Sequence, residues 1–410
     1  MSYFEILKSA DPHPNPVPST VAKAKVDKEG EDVGRARNGV IHTAHGDIQT
    51  PAFLPIGTKG AVKAITSEEL KFWGADIILA NTYHLWQRPG DALIYKAGGL
   101  HKFMNWKGPI FTDSGGFQVF SLAKMRKVME IGVMFQFDLD GRADILSPEK
   151  SVDIQANLGS DIALILDDFP GYPFEYERSK ESVALTKRWA ERAIKEHKKI
   201  VIDGDPINPG QKLWGIVQGA SFPDLREQSA KDMVALGFEG FAIGGVAVGE
   251  PHEEMMKAVK AVIPHLPETA PKHLLGVGTP FDIVQAVAQG CDTFDCVIPT
   301  REARHGRLYV SGQWAVDSGQ KDGYSTINIT LEQYKEDFTP VDYACDCYLC
   351  LNHTKAYLRH LFATGEPLAI RLATMHNLKF YLNLMTKIRT AIQYDYFEEM
   401  VKGYKEIESS

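Results

Sequence analysis

Short, continuous apolar runs recur along the chain from residue 51 onward, and a helix-like segment follows most of them. Runs without polar alternation are typical of parallel strands that are buried on both faces. Eight such runs are present: Ala52–Ile56, Ala75–Ala80, Pro109–Thr112, Ile162–Leu166, Leu213–Val217, Phe241–Ile243, His273–Leu275 and Thr293–Val297. Eight strand–helix units over roughly 250 residues match the size of a TIM barrel, so we predict an α/β (β/α)8 barrel.

The segments between the runs carry helix signals. Ser147 followed by Pro148 is an N-cap with proline at the first helical position. Further helices are predicted to begin at Ser67 and to cover Ser179–His197, Ser221–Leu236 and Glu253–Ile263. A doubly wound open sheet is the alternative, but it usually has a glycine-rich phosphate turn early in the chain. The first strands are not followed by such a turn, which favours the barrel.

Three stretches depart from the repeating pattern. Residues 1–35 contain alternating prolines and a charged run, which predicts a flexible N-terminal extension. Residues 127–146 alternate between apolar and turn-forming positions and predict an inserted hairpin. The third stretch, residues 331–375, contains a cluster of cysteines, and helical residues follow it. We therefore divide the chain into the extension at 1–35, a barrel domain at 36–330 that would be catalytic, and a subdomain at 331–410 that would bind zinc through the cysteines and ends in closing helices.

Composition limits the class of protein. The 410 residues include 45 basic and 53 acidic side chains, which gives a formal net charge of −8. This balance argues against a nucleic-acid coat protein but allows a local basic patch. Apolar runs fall short of the roughly 18 residues that span a bilayer, and the N-terminus lacks a signal-peptide pattern. We therefore expect a cytoplasmic, enzyme-sized protein without a membrane partner.

The five cysteines are too few for a disulfide scaffold, but three of them are clustered. Cys345, Cys347 and Cys350 lie in the six-residue stretch CDCYLC. A structural zinc ion needs four ligands in tetrahedral geometry, so one ligand has to come from elsewhere. The candidates are Cys291, Cys296, His353, His360 and His376. The histidines are the closer group, and the spacing alone does not select among them.

Carboxylates and amides follow several of the predicted strands, where a TIM barrel places its reactive groups. The strand-end residues are Asp113, Asp167, Asp168, Gln218, Gly219, Gly244, Gly245, Val246 and Asp295. A pair of carboxylates can divide glycosyl transfer into nucleophilic attack and proton transfer. Each aspartate alone is often a turn former or a helix cap, so it is their convergence on one rim that favours catalysis.

A basic window follows the last strand. Arg301, Arg304, His305 and Arg307 fall within seven residues that contain a single acid, Glu302. At the rim of an active site such a window could hold phosphates. An ordinary charged surface is the alternative.

An ordered set of motifs resembles one known family. The motifs are NTYHL (81–85), TDSGGFQ (112–118), LSPEKSV (146–152), WGIVQG (214–219), AIGGVAVGE (242–250), FDCVIPTR (294–301) and CDCYLC with a downstream His376. From about Ala36 to near residue 400, the sequence resembles the tRNA-guanine transglycosylases, or queuine tRNA-ribosyltransferases. These enzymes exchange the wobble guanine of tRNA for a 7-deazaguanine.

The resemblance implies a role for each matching position. Asp295 would be the nucleophile that attacks the ribose C1′ and forms a covalent intermediate, and Asp113 the general acid/base. The base would be bound by Asp167, Gln218, Gly245 and Phe117, and the anticodon loop by Arg301 and Arg304. One structural zinc would be bound by Cys345, Cys347, Cys350 and His376. A homodimer is implied as well.

Three positions depart from the common bacterial pattern. Phe169 replaces a cysteine, Val246 a leucine and Leu275 a methionine, all around the base pocket. They leave the preferred base open between the aminomethyl precursor preQ1 and queuine. Two other hypotheses are a non-catalytic subunit, which would lack the two aspartates, and a transglycosylase acting on DNA or at another tRNA position.

Overall fold

The parallel sheet at the centre of the fold closes into a barrel. The computed structural model describes residues 2–10, 34–117, 126–136, 141, 143–312 and 323–408. The barrel strands are, in chain order, Ala52–Leu54 with Ile56–Gly57, Ile78–Ala80, Ile110–Thr112, Ile162–Leu164, Lys212–Val217, Phe241–Ile243, Lys272–Leu274 and Thr293–Asp295. Each strand is paired with its neighbour in the chain. The predicted barrel is confirmed.

The ring closes through the first predicted run, which Pro55 divides into two short strands. Ala52–Leu54 pairs with the eighth strand, and Ile56–Gly57 pairs with the second. The nine strand segments therefore form the eight strands of the barrel. Large apolar side chains fill the interior, and Phe111 meets Trp214 edge-to-face at a ring distance of 5.4 Å. The barrel is thus a packed core whose open site has to lie at one end.

Helices surround the barrel between the strands. Ser147 accepts a hydrogen bond from the Lys150 amide at 3.2 Å and Pro148 opens the helix, as the sequence predicts. The helices of the described residues are Ser67–Phe72, Thr82–Gln87, Asp91–Lys96, Leu100–Met104, Pro148–Leu158, Tyr176–Asp203, Pro223–Leu236, His252–Val262, Pro280–Ala288, Ile298–Arg304, Tyr348–Asn352, Lys355–Thr364, Pro367–Gln393 and Phe397–Glu408, with 3-10 turns at Ile263–His265 and Glu332–Tyr334.

An antiparallel sheet lies next to the first barrel strand. It consists of Phe4–Ser9, Arg37–Thr43 and Gly46–Thr50. Phe4–Ser9 belongs to the segment for which we expected a flexible extension, yet it pairs with Arg37–Thr43. The reason is local, because Phe4 is buried and the prolines begin only at residue 12. Residues 11–33 lie outside the described residues.

Two smaller sheets complete the structure. The predicted hairpin at 127–146 is a three-stranded antiparallel sheet of Arg126–Met129, Gly132–Gln136 and Ala143–Leu146. Arg307–Ser311 and Tyr324–Asn328 form a hairpin after the barrel. Among the described residues, we find no helix with the length and apolar character needed to cross a membrane.

Candidate active site and metal centre

A cavity of about 550 Å³ opens at the carboxyl ends of the barrel strands. Residues from the ends of most strands contribute to its wall, which is mainly apolar with a few polar groups. Among them are Asn81, Asp113, Asp167, Phe169, Gly245, Val246, Leu275, Asp295 and Arg301. The convergence of carboxylates on one rim, predicted from the strand ends, is therefore present.

Asp295 ends the eighth strand and is 9% exposed. Its Oδ1 is 3.1 Å from Nε2 of His273 and accepts a hydrogen bond from the Gly276 amide at 3.2 Å. His273 is fully buried, and its Nδ1 is 2.9 Å from the Thr293 hydroxyl oxygen. A neutral His273 that donates from Nε2 to the Asp295 carboxylate accepts from the Thr293 hydroxyl at Nδ1. These contacts hold Oδ1, and among the described residues Oδ2 has no hydrogen-bond partner.

The sequence reasoning gave His273 no role beyond starting a strand. The available signal was its position, because a histidine inside a barrel strand two residues before the strand-end loop needs polar partners. Asn81 and Thr82 were also quoted only as part of a motif. Asn81 Nδ2 donates to Oδ2 of Asp113, and the Thr82 amide donates to its Oδ1 at 2.8 Å. The second strand thus orients the carboxylate at the end of the third.

Asp167 and Gln218, which follow the fourth and fifth barrel strands, form a buried polar pair. Gln218 Nε2 donates to Oδ2 of Asp167 at 2.6 Å, and the Ser114 hydroxyl donates to Oδ1 at 3.2 Å. Burial raises the pKa of Asp167 to about 7, although these hydrogen bonds oppose the shift. Gln218 Oε1 is buried without a hydrogen-bond partner among the described residues. An unsatisfied buried acceptor beside a carboxylate is typical of a ligand-binding site.

The side chain of Gln218 lies so close to residue 245 that only glycine fits at this position. The φ of Gly245 is +64°, and a Cβ there would lie 2.2 Å from Gln218 Oε1. Any side chain would therefore displace the glutamine or close the pocket. Gly245 joins Asp167 and Gln218 in one place, as the resemblance implied.

Phe117 lies at the mouth of the cavity and is 51% exposed. It stacks on Phe169, with ring centres 5.8 Å apart and planes 15° apart. An exposed ring face at a cavity mouth can take a flat heterocycle. Gln118, the last residue of its motif, lies outside the described residues.

The basic residues are only partly brought to the site. Arg301 is exposed and lines the cavity, whereas Arg304 is absent from the described lining and donates to the Thr300 carbonyl at 2.9 Å. The sequence analysis also did not identify Lys59 and Lys63, two cations close to the cavity residue His84. Burial, and then the nearby charges of Lys59 and Lys63, lower the pKa of His84, another lining residue.

The predicted metal ligands are grouped together. The sulfur atoms of Cys345, Cys347 and Cys350 and an imidazole nitrogen of His376 all lie within 4.8 Å of one another. His376 Nε2 donates to the Tyr309 carbonyl at 2.7 Å, which turns Nδ1 toward the thiols. This is the orientation that metal-bound histidines usually have. The cluster can hold a metal ion, and three thiolates with one imidazole suit Zn²⁺.

The local fold explains how the cluster forms. Cys347 caps the helix Tyr348–Asn352, its sulfur accepting from the Cys350 amide at 3.4 Å. His376 lies inside the 27-residue helix Pro367–Gln393. Of the other candidates, His353 instead stacks on Tyr357 with ring centres 4.8 Å apart. Four protein ligands leave no open coordination position, which fits a structural role.

The remaining cysteines take no part in the cluster. Cys291 and Cys296 are buried, and all five cysteines are free thiols. Burial raises the pKa of Cys296 to about 12, so its thiol on the cavity wall is neutral. Both belong to the hydrophobic core, so neither supplies the fourth ligand that the sequence left open.

The fold and site together define an α/β-barrel enzyme with strand-end carboxylates and a separate cysteine–histidine metal centre. The family model described as queuine tRNA-ribosyltransferase matches residues 32–409. The chain belongs to the queuine tRNA-ribosyltransferase family, and it is therefore an enzyme of the pentosyltransferase class.

Several relatives with the name queuine tRNA-ribosyltransferase cover nearly the whole chain. The protein of Psychrobacter cryohalolentis is 47% identical over 377 residues, which are 92% of this chain and 95% of the relative. That of Streptococcus gordonii is 50% identical over 372 residues, covering 90% and 92%. That of Listeria innocua is 51% identical over 360 residues, covering 88% and 90%.

Proposed function

We propose that this protein is a tRNA-guanine transglycosylase that replaces the wobble guanine of tRNA with a 7-deazaguanine. The observation that carries the proposal is that Asp113 and Asp295 line the same cavity as Asp167, whose carboxylate accepts a hydrogen bond from the buried Gln218. Two carboxylates for glycosyl transfer thus share a pocket with donors and acceptors for a flat base. The family membership of the chain supports the same reaction.

In the proposed mechanism, the free oxygen of Asp295 attacks C1′ of the wobble nucleotide. The C1′–O bond forms as the C1′–N9 bond breaks, and the electron pair leaves with guanine. Asp113, oriented by Thr82, gives a proton to the leaving base and takes one from N9 of the incoming base. The incoming nitrogen then displaces Asp295, so two inversions at C1′ give net retention.

Base recognition follows from the polar groups on the wall. An ionised Asp167 accepts from the N1–H and 2-amino groups that guanine and 7-deazaguanines share. Gln218 and the backbone at Gly245 complete the edge, and Phe117 stacks on the ring. The 7-substituent would face residues such as Phe169, Val246 and Leu275. A competition between preQ1 and queuine measures which substituent fits, and strong preference for preQ1 would count against queuine salvage.

The RNA and the metal take separate parts of the molecule in this proposal. Arg301, at the cavity, contacts the anticodon-loop phosphates, with Arg304 on the same helix. Because the net charge is −8, these cations form a local patch within an acidic protein. The four-ligand cluster holds one structural Zn²⁺, and the retention of both Asp113 and Asp295 argues against a non-catalytic subunit.

We further propose a cytoplasmic homodimer. Support comes from the segment around the metal cluster, where large apolar side chains are more than half exposed. They are Phe338, Tyr343, Tyr348 and Leu351. Exposed apolar patches of this kind are typical of protein interfaces. Light scattering that returns only the 45.6 kDa monomer mass at micromolar concentration would contradict the dimer.

The purified protein should incorporate radiolabelled guanine into tRNA that has guanosine at the wobble position. The same tRNA with adenosine there should take up no label, because Asp167 would face an acceptor at N1 and would find no 2-amino group. Acid-precipitable counts measure both reactions. Uptake into both RNAs, or into DNA of the same sequence, would contradict the proposal.

Guanine binding to the free enzyme should depend on pH through Asp167. Its pKa of about 7 means that the accepting carboxylate forms only as pH rises through 7. The affinity for guanine should therefore increase about tenfold from pH 6 to pH 8. Titration calorimetry measures it, and Asp167→Asn should bind weakly without this dependence.

The raised pKa of Asp167 also affects folding stability, which decreases with rising pH whereas guanine affinity increases. The folded pKa lies above the value of 3.8 for an unperturbed aspartate, so ionising Asp167 costs folding free energy. The free energy of unfolding that depends on Asp167 therefore falls as pH rises from about 4 to about 7. Asp167→Asn should therefore gain stability relative to the parent on passing from pH 5 to pH 8. A wild-type affinity that is flat across pH 6–8 would contradict the assignment.

A further inference from the structure

A buried arginine lies behind the base pocket, and the reaction outlined above gives it no role. Arg226, on the helix Pro223–Leu236, is fully buried. No ion pair is recorded for it within the part of the chain that the structure describes. Burial lowers its pKa to about 9, so it remains a cation at neutral pH. A buried charge without a paired carboxylate is costly and calls for an explanation.

Within the described chain, the side-chain hydrogen bonds of Arg226 go to backbone carbonyls at or just after the ends of two neighbouring strands. Its Nε donates to Ala220 at 2.7 Å, and Nη1 donates to Val217 at 2.9 Å. Nη1 also donates to Gly244 at 2.7 Å, and Nη2 to Gly245 at 3.2 Å. The guanidinium thus ties the loop after the sixth strand to the loop after the fifth. The latter begins with Gln218.

A trans peptide unit is planar, and its C=O and N–H point in opposite directions. Because the Gly244 and Gly245 carbonyls point at Arg226, the amides that follow them, those of Gly245 and Val246, point away from it. These residues line the cavity. Neither amide has a recorded hydrogen bond in the described chain. Two donors are therefore presented on the cavity side of a loop whose other side is fixed.

The far end of the same loop is fixed as well. The carboxylate of Glu250 accepts from the amides of Ala247 and Val248, the latter at 2.9 Å. The Arg226 guanidinium therefore holds the first carbonyls of the loop, and the Glu250 carboxylate holds the two amides that come later in it. Of the amides between these anchors, those of Gly245 and Val246 have no hydrogen-bond partner among the described residues.

We propose that Arg226 is a positioning residue, which aims the amides of Gly245 and Val246 at the 6-oxo group of the bound base. This rests on the proposed function. Guanine and 7-deazaguanines carry the 6-oxo acceptor next to N1–H and the 2-amino group, the donors that suit Asp167. The two amides would thus donate to the 6-oxo acceptor, and Asp167 would accept from the donors on the same edge of the base. Arg226 itself touches no substrate.

Two bases distinguish this role from a merely structural one. 6-Thioguanine keeps N1–H and the 2-amino group but presents sulfur, which is a weaker acceptor. Wild-type protein should bind guanine about tenfold more tightly than 6-thioguanine, which is the size expected for a good amide hydrogen bond. Arg226→Lys keeps the charge but not the planar fork, and its preference should fall to about twofold. Calorimetry measures both affinities.

Exchange kinetics provide a second readout. In Arg226→Lys the KM for guanine should rise about five- to tenfold, while kcat at saturating base changes little. Arg389→Lys is the matched control, because Arg389 also donates to a backbone carbonyl, that of Pro51 at 2.7 Å, and is absent from the cavity lining. The control should keep the wild-type base preference.

Several outcomes would overturn the inference. One is equal weakening of both bases in Arg226→Lys, which is what general loosening of the loop would give. Another is wild-type protein that binds 6-thioguanine as tightly as guanine, a result that needs no folded variant. Failure of the proposed function is distinguishable, since wild-type protein would then bind neither base and exchange no guanine.

Discussion

Asp295→Asn should abolish guanine exchange, with a loss of about 10⁴-fold or more, as expected when the nucleophile of a covalent mechanism is removed. The amide has nearly the same shape, and its oxygen can still accept from His273 and the Gly276 amide. The fold and the base pocket should therefore survive. Radiolabelled guanine incorporation measures the loss, and guanine affinity of the variant should stay within a few-fold of wild type.

The covalent intermediate of the proposed mechanism gives an independent readout. Wild-type protein mixed with tRNA and denatured should leave a protein–RNA adduct on a gel, and Asp295→Asn should leave none. Asp282→Asn is a suitable control, because Asp282 also lies on the cavity wall but its oxygens engage His252 and Thr279. Full exchange activity in Asp295→Asn would remove the nucleophile assignment.

The second large effect is expected at the metal centre. Cys347→Ser should lose the zinc that we propose for the cluster and destabilise the segment between Arg307 and Gln393. Metal binding in sites of this type contributes on the order of 10 kcal/mol to folding, and the variant forgoes most of it. Metal analysis and thermal unfolding check the expectation. Proteolysis should cut the variant first near the cysteine cluster.

Cys296→Ser provides the control for that experiment. It removes a buried thiol outside the cluster and should keep one zinc per chain. If Cys347→Ser retains full zinc stoichiometry, the four-ligand cluster is not the metal site. Wild-type protein treated with a strong chelator should reproduce the instability of the variant.

Much of the fold follows from patterns that the sequence displays directly. Buried parallel strands require continuous apolar runs, and each of the eight predicted runs overlaps a barrel strand. The bounds were less accurate, because burial extends beyond the hydrogen-bonded ladder. Ile165 and Leu166 are fully buried although the fourth strand ends at Leu164. An apolar run in the sequence indicates which residues are buried, and the hydrogen-bonded strand is only part of the buried segment.

The candidate site was predictable where chemistry is carried by unusual residue types at strand ends. The aspartates, Gln218 and the cysteine cluster are of this kind. The supporting residues were missed because their importance arises only from long-range contact. His273 and Asp295 are 22 residues apart, and Asn81 and Asp113 are 32 apart. Arg226 was invisible for another reason, since an arginine on an amphipathic helix normally predicts an exposed face.

The helix Pro367–Gln393 has a practical consequence for anyone who assays this enzyme. It carries His376, and one residue later Asn377 donates to the carbonyls of Pro299 and Arg307, both at 3.0 Å. Pro299 lies just after the strand that bears Asp295. Adjacent residues of one helix about 40 Å long thus contact the proposed metal cluster and the segment that follows Asp295. If zinc binds as proposed, its loss would reach that segment, so turnover numbers should be normalised to bound metal and not to total protein.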